Sequence, residues 1–245
     1  KLRVRDLVEE TGLPVLFGAS ETEKLAVADA EAPARAKSFN SAYLMQPGEP
    51  VAEPYRKVRL LPFGEYRPLE GTVRLPTWLA PRMFETEAGA ARRALAAGPL
   101  RVEPVICWEN LFADDVRATA TPEPSVIAHL VNDAWFGPTA QPYLHATANV
   151  FRAVENRRPV IGASNTGPSQ IFDARGRVVA ATTAFFEPAA VSATVRLEGG
   201  TTFYRRAGDL AWALPLLVAV ALAIGTTLTR ARSARRGTPA PRPPA

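Results

Sequence analysis

Cys107, the only cysteine in the chain, lies in Pro104-Val105-Ile106-Cys107-Trp108-Glu109-Asn110, where a hydrophobic strand runs out into a polar turn. A lone thiol makes no intramolecular disulfide, and at a strand end beside a carboxylate it has the setting of a nucleophile. Single cysteines more often serve as small buried hydrophobes. Core filler would be followed by more apolar residues, however, whereas Trp108, Glu109 and Asn110 bring hydrogen-bonding groups to its side. A thiol needs a base or a cation to become thiolate, and acyl transfer needs donors where the oxyanion forms. Lys57 is the natural donor, in Tyr55-Arg56-Lys57-Val58-Arg59-Leu60-Leu61-Pro62-Phe63-Gly64-Glu65-Tyr66, where the Pro-Phe-Gly turn sets Glu65 back toward the same end. On spacing alone, a Lys and a Glu eight residues apart read as a solvated surface pair. Asn132-Asp133-Ala134-Trp135-Phe136-Gly137 ends a strand with two turn formers and two large aromatics, which more often cap a core than line a pocket. His129 and His145 lack the spacing of metal ligands, and one cysteine builds no zinc site. With no glycine-rich phosphate loop or dinucleotide fingerprint either, neither metal nor cofactor is expected.

The elements that must hold these groups alternate along the chain. Residues 1–10 read as an amphipathic helix already under way, 15–19 as a short buried strand, and the charged, alanine-rich stretch 21–37 as a surface loop. Residues 38–45 alternate as a strand, closed by Pro47-Gly48-Glu49-Pro50. Further strands are expected at 101–107, 125–132, 159–164, 169–173 and 177–182, with helices near 87–97, 110–117 and 141–156. This order indicates an α/β or α+β sandwich. The segment Leu75-Pro76-Thr77-Trp78-Leu79-Ala80-Pro81-Arg82-Met83-Phe84 is apolar but broken by proline, so it reads as a loop that either folds on its own domain or dips into lipid headgroups.

With 47% hydrophobic and 22% charged residues over 245 positions, the chain has the composition of one large globular domain with appendages. Its net charge of +5 does not point to nucleic acid, because five arginines (Arg230, Arg232, Arg235, Arg236 and Arg242) crowd into the last sixteen residues. Just before them, Leu210 to Thr229 carries no charge over a length of roughly 30 Å as a helix, enough to cross a hydrocarbon core. A buried core helix of that length would carry a polar stripe. The arginines behind this span place the proline-rich tail in the cytoplasm and the preceding residues outside it. The expected division is a domain at 1–208, a transmembrane helix at 209–229 and a basic tail at 230–245.

The strings at 55–66, 106–109 (Ile-Cys-Trp-Glu) and 132–137, followed by Arg152-Ala153-Val154-Glu155, Ser164-Asn165-Thr166-Gly167 and a terminal membrane helix, together resemble the apolipoprotein N-acyltransferases. The resemblance runs over nearly the whole chain in the right order. It implies a nitrilase-like four-layer αββα sandwich on the outer face of a bacterial inner membrane, acting through a Glu-Lys-Cys triad without a cofactor. In that family a phospholipid donates an acyl chain to the thiol, and the thioester passes it to the α-amino group of a diacylglyceryl apolipoprotein. Carried over by position, Cys107 is the nucleophile and Lys57 the oxyanion-stabilising cation. Glu65 is an additional acidic residue at the site, and Trp108 with Glu109 form the essential pair after the nucleophile. Many members have Tyr where Trp108 stands, so a hydroxyl is lost here. Trp78, Phe84 and Trp135 are the expected lipid-facing residues, and the protein is expected to be a monomer.

One departure stands out. The family's general-base glutamate lies in a Pro-Glu motif on a strand before the helix that opens this sequence, and no Pro-Glu here has that context: Glu49 precedes Pro50, and Pro122-Glu123 comes too late. The sequence therefore reads as the carboxyl-terminal portion of a longer protein, with two triad members of three and no expected turnover by itself. Two other readings remain open at this level, a membrane-anchored nitrilase-type amidase and a catalytically inactive binding or scaffolding domain.

Overall fold

The computed structural model describes residues 3–24, 36–68, 86–119, 121–182 and 184–236. The loop at 75–84, with Trp78 and Phe84, lies outside the described residues, as does 237–245. Helix α1 (Val4–Thr11) ends at Gly12, whose φ of 66° is the left-handed geometry that glycine adopts at no steric cost. Strands β1 (Val15–Lys24) and β2 (Ala36–Met45) pair antiparallel over their whole length, and the two-residue β3 (Tyr55–Arg56) adds to β2. The expected surface loop at 21–37 is thus corrected at both ends. Glu21 accepts from Ser41 Oγ at 2.9 Å and from Arg56, which lets charged residues lengthen the ladder instead of leaving it.

A six-stranded sheet in the order β4-β5-β6-β7-β8-β9 forms the second layer. It comprises β4 (Leu95–Ala97), β5 (Leu100–Ile106), β6 (Ser125–Val131), β7 (Val160–Ser164), β8 (Gln170–Phe172) and β9 (Val178–Ala181). The helix expected near 87–97 is absent. Residues 87–94 are irregular and 95–97 form a strand, because Gly98, at φ 57°, turns the chain into a hairpin that pairs Leu95 with Val102. The central strands β5, β6 and β7 run parallel, connected by α2 (Ala113–Thr119) and α3 (Gln141–Asn156).

Alternation along the strands separates two cores. Val105, Ile127, Val160 and Phe172 face the helices with Val116 and Ala153, whereas Ile106 and Leu95 face the first sheet and meet Ala42, Leu44 and Tyr55. Each such buried side chain contributes on the order of 1.5–3 kcal/mol. With α1 tied to the outer side by Arg5 and Glu9, which reach the turn after β2, the layers are α, β, β, α. A short α4 (Phe203–Ala207) then leads into α5 (Leu210–Arg236), whose apolar window Trp212–Arg230 is long enough to span a membrane and has none of its side chains buried.

Candidate active site

Ile106 pairs with Leu130, and Val131 with Ser164, so the three parallel strands end together and deliver Cys107, Asn132, Asp133 and Asn165 to one edge. Carboxyl ends of parallel strands are where open α/β sheets bind ligands. Cys107 follows β5 with φ of 53°, a left-handed geometry unfavourable for a side-chain-bearing residue and characteristic of residues held for function. Its thiol is partly buried, and burial pushes its pKa up, while the Lys57 charge and the Trp108 N–H pull it down.

Lys57 is not the solvated surface residue its spacing suggests. It is 1% exposed, directly after β3, with its N–H donating to Asn40 O and its carbonyl accepting from Gly89 N–H, both at 2.8 Å. Gly89 must be a glycine, since a Cβ there would stand 2.3 Å from Arg56 O. The ammonium donates to both oxygens of Glu65 at 2.7 and 2.8 Å, and Glu65 also accepts from Leu61 N–H at 2.7 Å and Asn40 Nδ2 at 3.2 Å. The turn through Phe63, at φ 62°, therefore folds Glu65 back onto Lys57.

Glu109 is fully buried and points into the structure. It accepts from Ile106 N–H at 2.9 Å, from Val58 and Arg59 N–H at 2.9 and 3.0 Å, from Tyr55 OH and from Arg92. One carboxylate thus joins the strand end before Cys107 to the segment after Lys57. Trp108 completes the clamp by donating from its indole N–H to Arg59 O at 2.8 Å. Asp133 Oδ1 lies 2.9 Å from His145 Nδ1, both residues being buried. Trp135 caps no core: it is 62% exposed at the same edge, beside Phe136.

Cys107, Lys57, Glu65, Trp108 and Glu109 are therefore brought together. Sequence reading passed over Arg92, Asn40, Asn149 and the placement of His129. His129 offered a signal in hindsight, being a buried polar residue in an otherwise apolar strand. Arg92 offered none, because its segment reads as helical. Among the described residues, no group of three or more His, Cys, Asp and Glu side chains is placed to hold a metal ion. Chemically, the site offers a thiol, a fixed ammonium and a backbone N–H at one strand end.

Among proteins of known name, the chain is 36% identical over 223 residues to the apolipoprotein N-acyltransferase of Geobacter metallireducens, covering 91% of this chain and 41% of that one. It is 36% identical over 189 residues to the one from Gloeobacter violaceus, covering 75% and 34%. The chain thus spans less than half the length of these relatives. Among solved structures it is similar to an amidase from Nesterenkonia sp. (TM-score 0.50, 18% identity, 76% of this chain and 62% of that one). It is also similar to a carbon-nitrogen hydrolase from Helicobacter pylori G27 (TM-score 0.51, 15% identity, 74% and 61%). At such identities the likeness is one of fold. The family model described as carbon-nitrogen hydrolase matches residues 2–203, from α1 to the start of α4. The chain belongs to the carbon-nitrogen hydrolase family.

Proposed function

We propose that this chain carries the acyl-transfer site of a membrane-bound N-acyltransferase that acts on the amino terminus of lipoproteins. The observation that carries this reading is the ion pair of buried Lys57 with half-buried Glu65 beside a strand-end thiol, in a chain whose last helix is apolar, exposed and long enough to cross a membrane. The names of the relatives supply the substrate class.

In this mechanism the Cys107 thiolate attacks an ester carbonyl of a phospholipid, and a carbon–sulfur bond forms as the carbon–oxygen bond to the glycerol breaks. The lysophospholipid leaves with a proton. The acceptor's α-amine then attacks the thioester, sulfur departs as thiolate, and the amine's proton is given up to base. Lys57 stabilises the oxyanion in both halves, and its position is fixed because Glu65 holds two of its hydrogens. Burial keeps the thiol protonated at neutral pH, so a base must take its proton. Glu65 is committed to Lys57, Asn40 and Leu61, so in this reading a different carboxylate takes that role, which the family resemblance implies lies before α1.

Residues 1–208 form the catalytic portion on the outer face, 209–229 the span, and 230–245 the cytoplasmic tail, with the arginines after Thr229 setting the orientation. Mass spectrometry of the intact protein incubated with phospholipid should find a fatty acyl group on Cys107. A Cys107→Ala protein that still transfers acyl chains would end this reading, and hydrolysis of small amides without acyl transfer would replace it by an amidase. In a Cys107→Ala background, labelling of Arg236→Cys by an impermeant thiol reagent in intact cells would reverse the assigned orientation.

A further inference from the structure

Behind the thiol lies a buried polar chain that the mechanism above does not use. His129, 1% exposed in β6, has its Nε2 2.9 Å from the carbonyl oxygen of Cys107. Its Nδ1 is 3.0 Å from Asn149 Nδ2, and Asn149 Oδ1 lies 3.1 Å from Asn110 Nδ2, which is itself 3.0 Å from the backbone carbonyl of His145.

Both ends of this chain are carbonyls that can only accept, so every donor in it is determined. Asn110 Nδ2 must donate to His145 O, hence also to Asn149 Oδ1. Asn149 Nδ2 must then donate to His129 Nδ1, which leaves the ring proton on Nε2. That is the nitrogen facing Cys107 O, where only a donor fits. The two ends require the same tautomer, and a second ring proton would confront the Asn149 amide. Burial, reinforced by His145, lowers the pKa of His129 to about 3, which agrees with the neutral form.

The consequence reaches the thiol through peptide geometry. Cys107–Trp108 is a trans bond, the only cis peptide among the described residues being Gly167-Pro168. In a planar trans peptide, the N–H points opposite to the C=O. Turning the Cys107 carbonyl toward His129 therefore turns the Trp108 N–H to the opposite side of the peptide plane, away from the ring. Cys107 sits at positive φ at the start of the 3₁₀ turn Cys107–Leu111, just past the strand ladder, and the His129 contact adds to the support of that turn.

We propose that His129 is a positioning residue for the reaction: by holding the Cys107 carbonyl it fixes the Cys107–Trp108 peptide plane, and with it the direction of the Trp108 N–H beside the thiol. This rests on the reading of Cys107 as the acyl carrier.

The test compares wild-type, His129→Gln and His129→Leu in the intact protein reconstituted in phospholipid vesicles. Glutamine can supply both the donor to Cys107 O and the acceptor for Asn149, and leucine supplies neither. His129→Leu should slow acyl-enzyme formation roughly tenfold, the scale of one lost hydrogen bond, with KM for phospholipid unchanged. His129→Gln should recover to within about threefold. Equal impairment of both variants, or wild-type acylation in His129→Leu, would overturn the proposal. A second readout avoids substitution effects on folding. Nitrogen-15 spectra of wild-type protein, in which the His129 signals are identified by their loss in His129→Gln, should show His129 neutral with its proton on Nε2; a proton on Nδ1 would overturn it. Cys107→Ala serves as the control: persistent acyl transfer there would remove the underlying reading, whereas failure of the His129 arms alone would leave it standing.

Discussion

The Tyr55 hydroxyl lies 3.0 Å from both carboxylate oxygens of Glu109, and this contact spans the interface between the two sheets. Tyr55 begins the short strand that ends just before Lys57, and Glu109 follows Cys107 by two residues. Cys107 and Lys57 are thus held in mutual position through a buried carboxylate rather than through each other. Burial, followed by the nearby Glu109 charge, pushes the Tyr55 hydroxyl well above the usual phenol range, so it stays a donor at any physiological pH.

Removing Glu109 would leave Arg92 with Asp115 as its remaining carboxylate, and would leave the N–H groups of Ile106, Val58 and Arg59 without their acceptor. Glu109→Ala should therefore cost about 3–5 kcal/mol of stability, the range for breaking a buried pair, and abolish acylation. Tyr55→Phe removes one donor of several and should cost about 1 kcal/mol. Denaturant unfolding of both variants checks this; a Glu109→Ala protein of wild-type stability would show that the carboxylate does not carry the clamp.

Lys57→Met should lose about 2.7–4 kcal/mol of transition-state stabilisation, on the scale of one oxyanion donor. The same variant reports on the thiol. Burial raises the Cys107 pKa above its ordinary 9.0, and Lys57 opposes that rise. Iodoacetamide alkylation in wild-type protein should keep accelerating above pH 9.0, and in Lys57→Met the profile should move further to alkaline pH. The neutral thiol's stabilising contribution is present below the unfolded-state value and lost as pH rises through the folded one. An unmoved profile in Lys57→Met would mean that the ammonium does not act on the sulfur.

Elements with clean periodicity were legible in the sequence: strands β2, β5 and β6 and helix α3 stand within two residues of where the pattern puts them. What pattern could not carry was pairing. Glu21 to Lys24 look like loop because they are charged, and become strand because Ser41 and Arg56 across the ladder satisfy Glu21. Leu95 to Ala97 look helical because alanine is common there, and become strand because Gly98 permits a hairpin onto β5. Lys57 and Glu65 were placed in the site by motif alone. Their burial depends on Asn40, on the Gly89 backbone and on the turn at Phe63, none of which is a spacing rule. His129 stood out as a polar residue in an apolar strand, but its placement behind the thiol was not legible for the same reason, since its partners come from α3 and from the turn after Cys107.

Trp135 and Phe136 lie in the short helical turn Ala134–Phe136 that follows β6, at the strand-end edge that carries Cys107. Asn132 Oδ1 holds this turn by accepting from Ala134 N–H, and it ties the turn to the next strand end by accepting from Asn165 Nδ2 at 2.9 Å. Trp135 is 62% exposed, so its indole supports no core, and surface substitutions of this kind usually stay within about 0.5 kcal/mol. An amphipathic ring at that edge suits the boundary between headgroups and acyl chains. Replacing Trp135 and Phe136 together by serine should raise KM for a phospholipid donor several-fold. Cleavage of a small soluble ester by the same thiol should stay within a factor of about two, since nothing in the Lys57–Glu65 or Glu109 contacts involves either ring. Loss of both activities in equal measure would assign the aromatics to holding the turn rather than to the lipid.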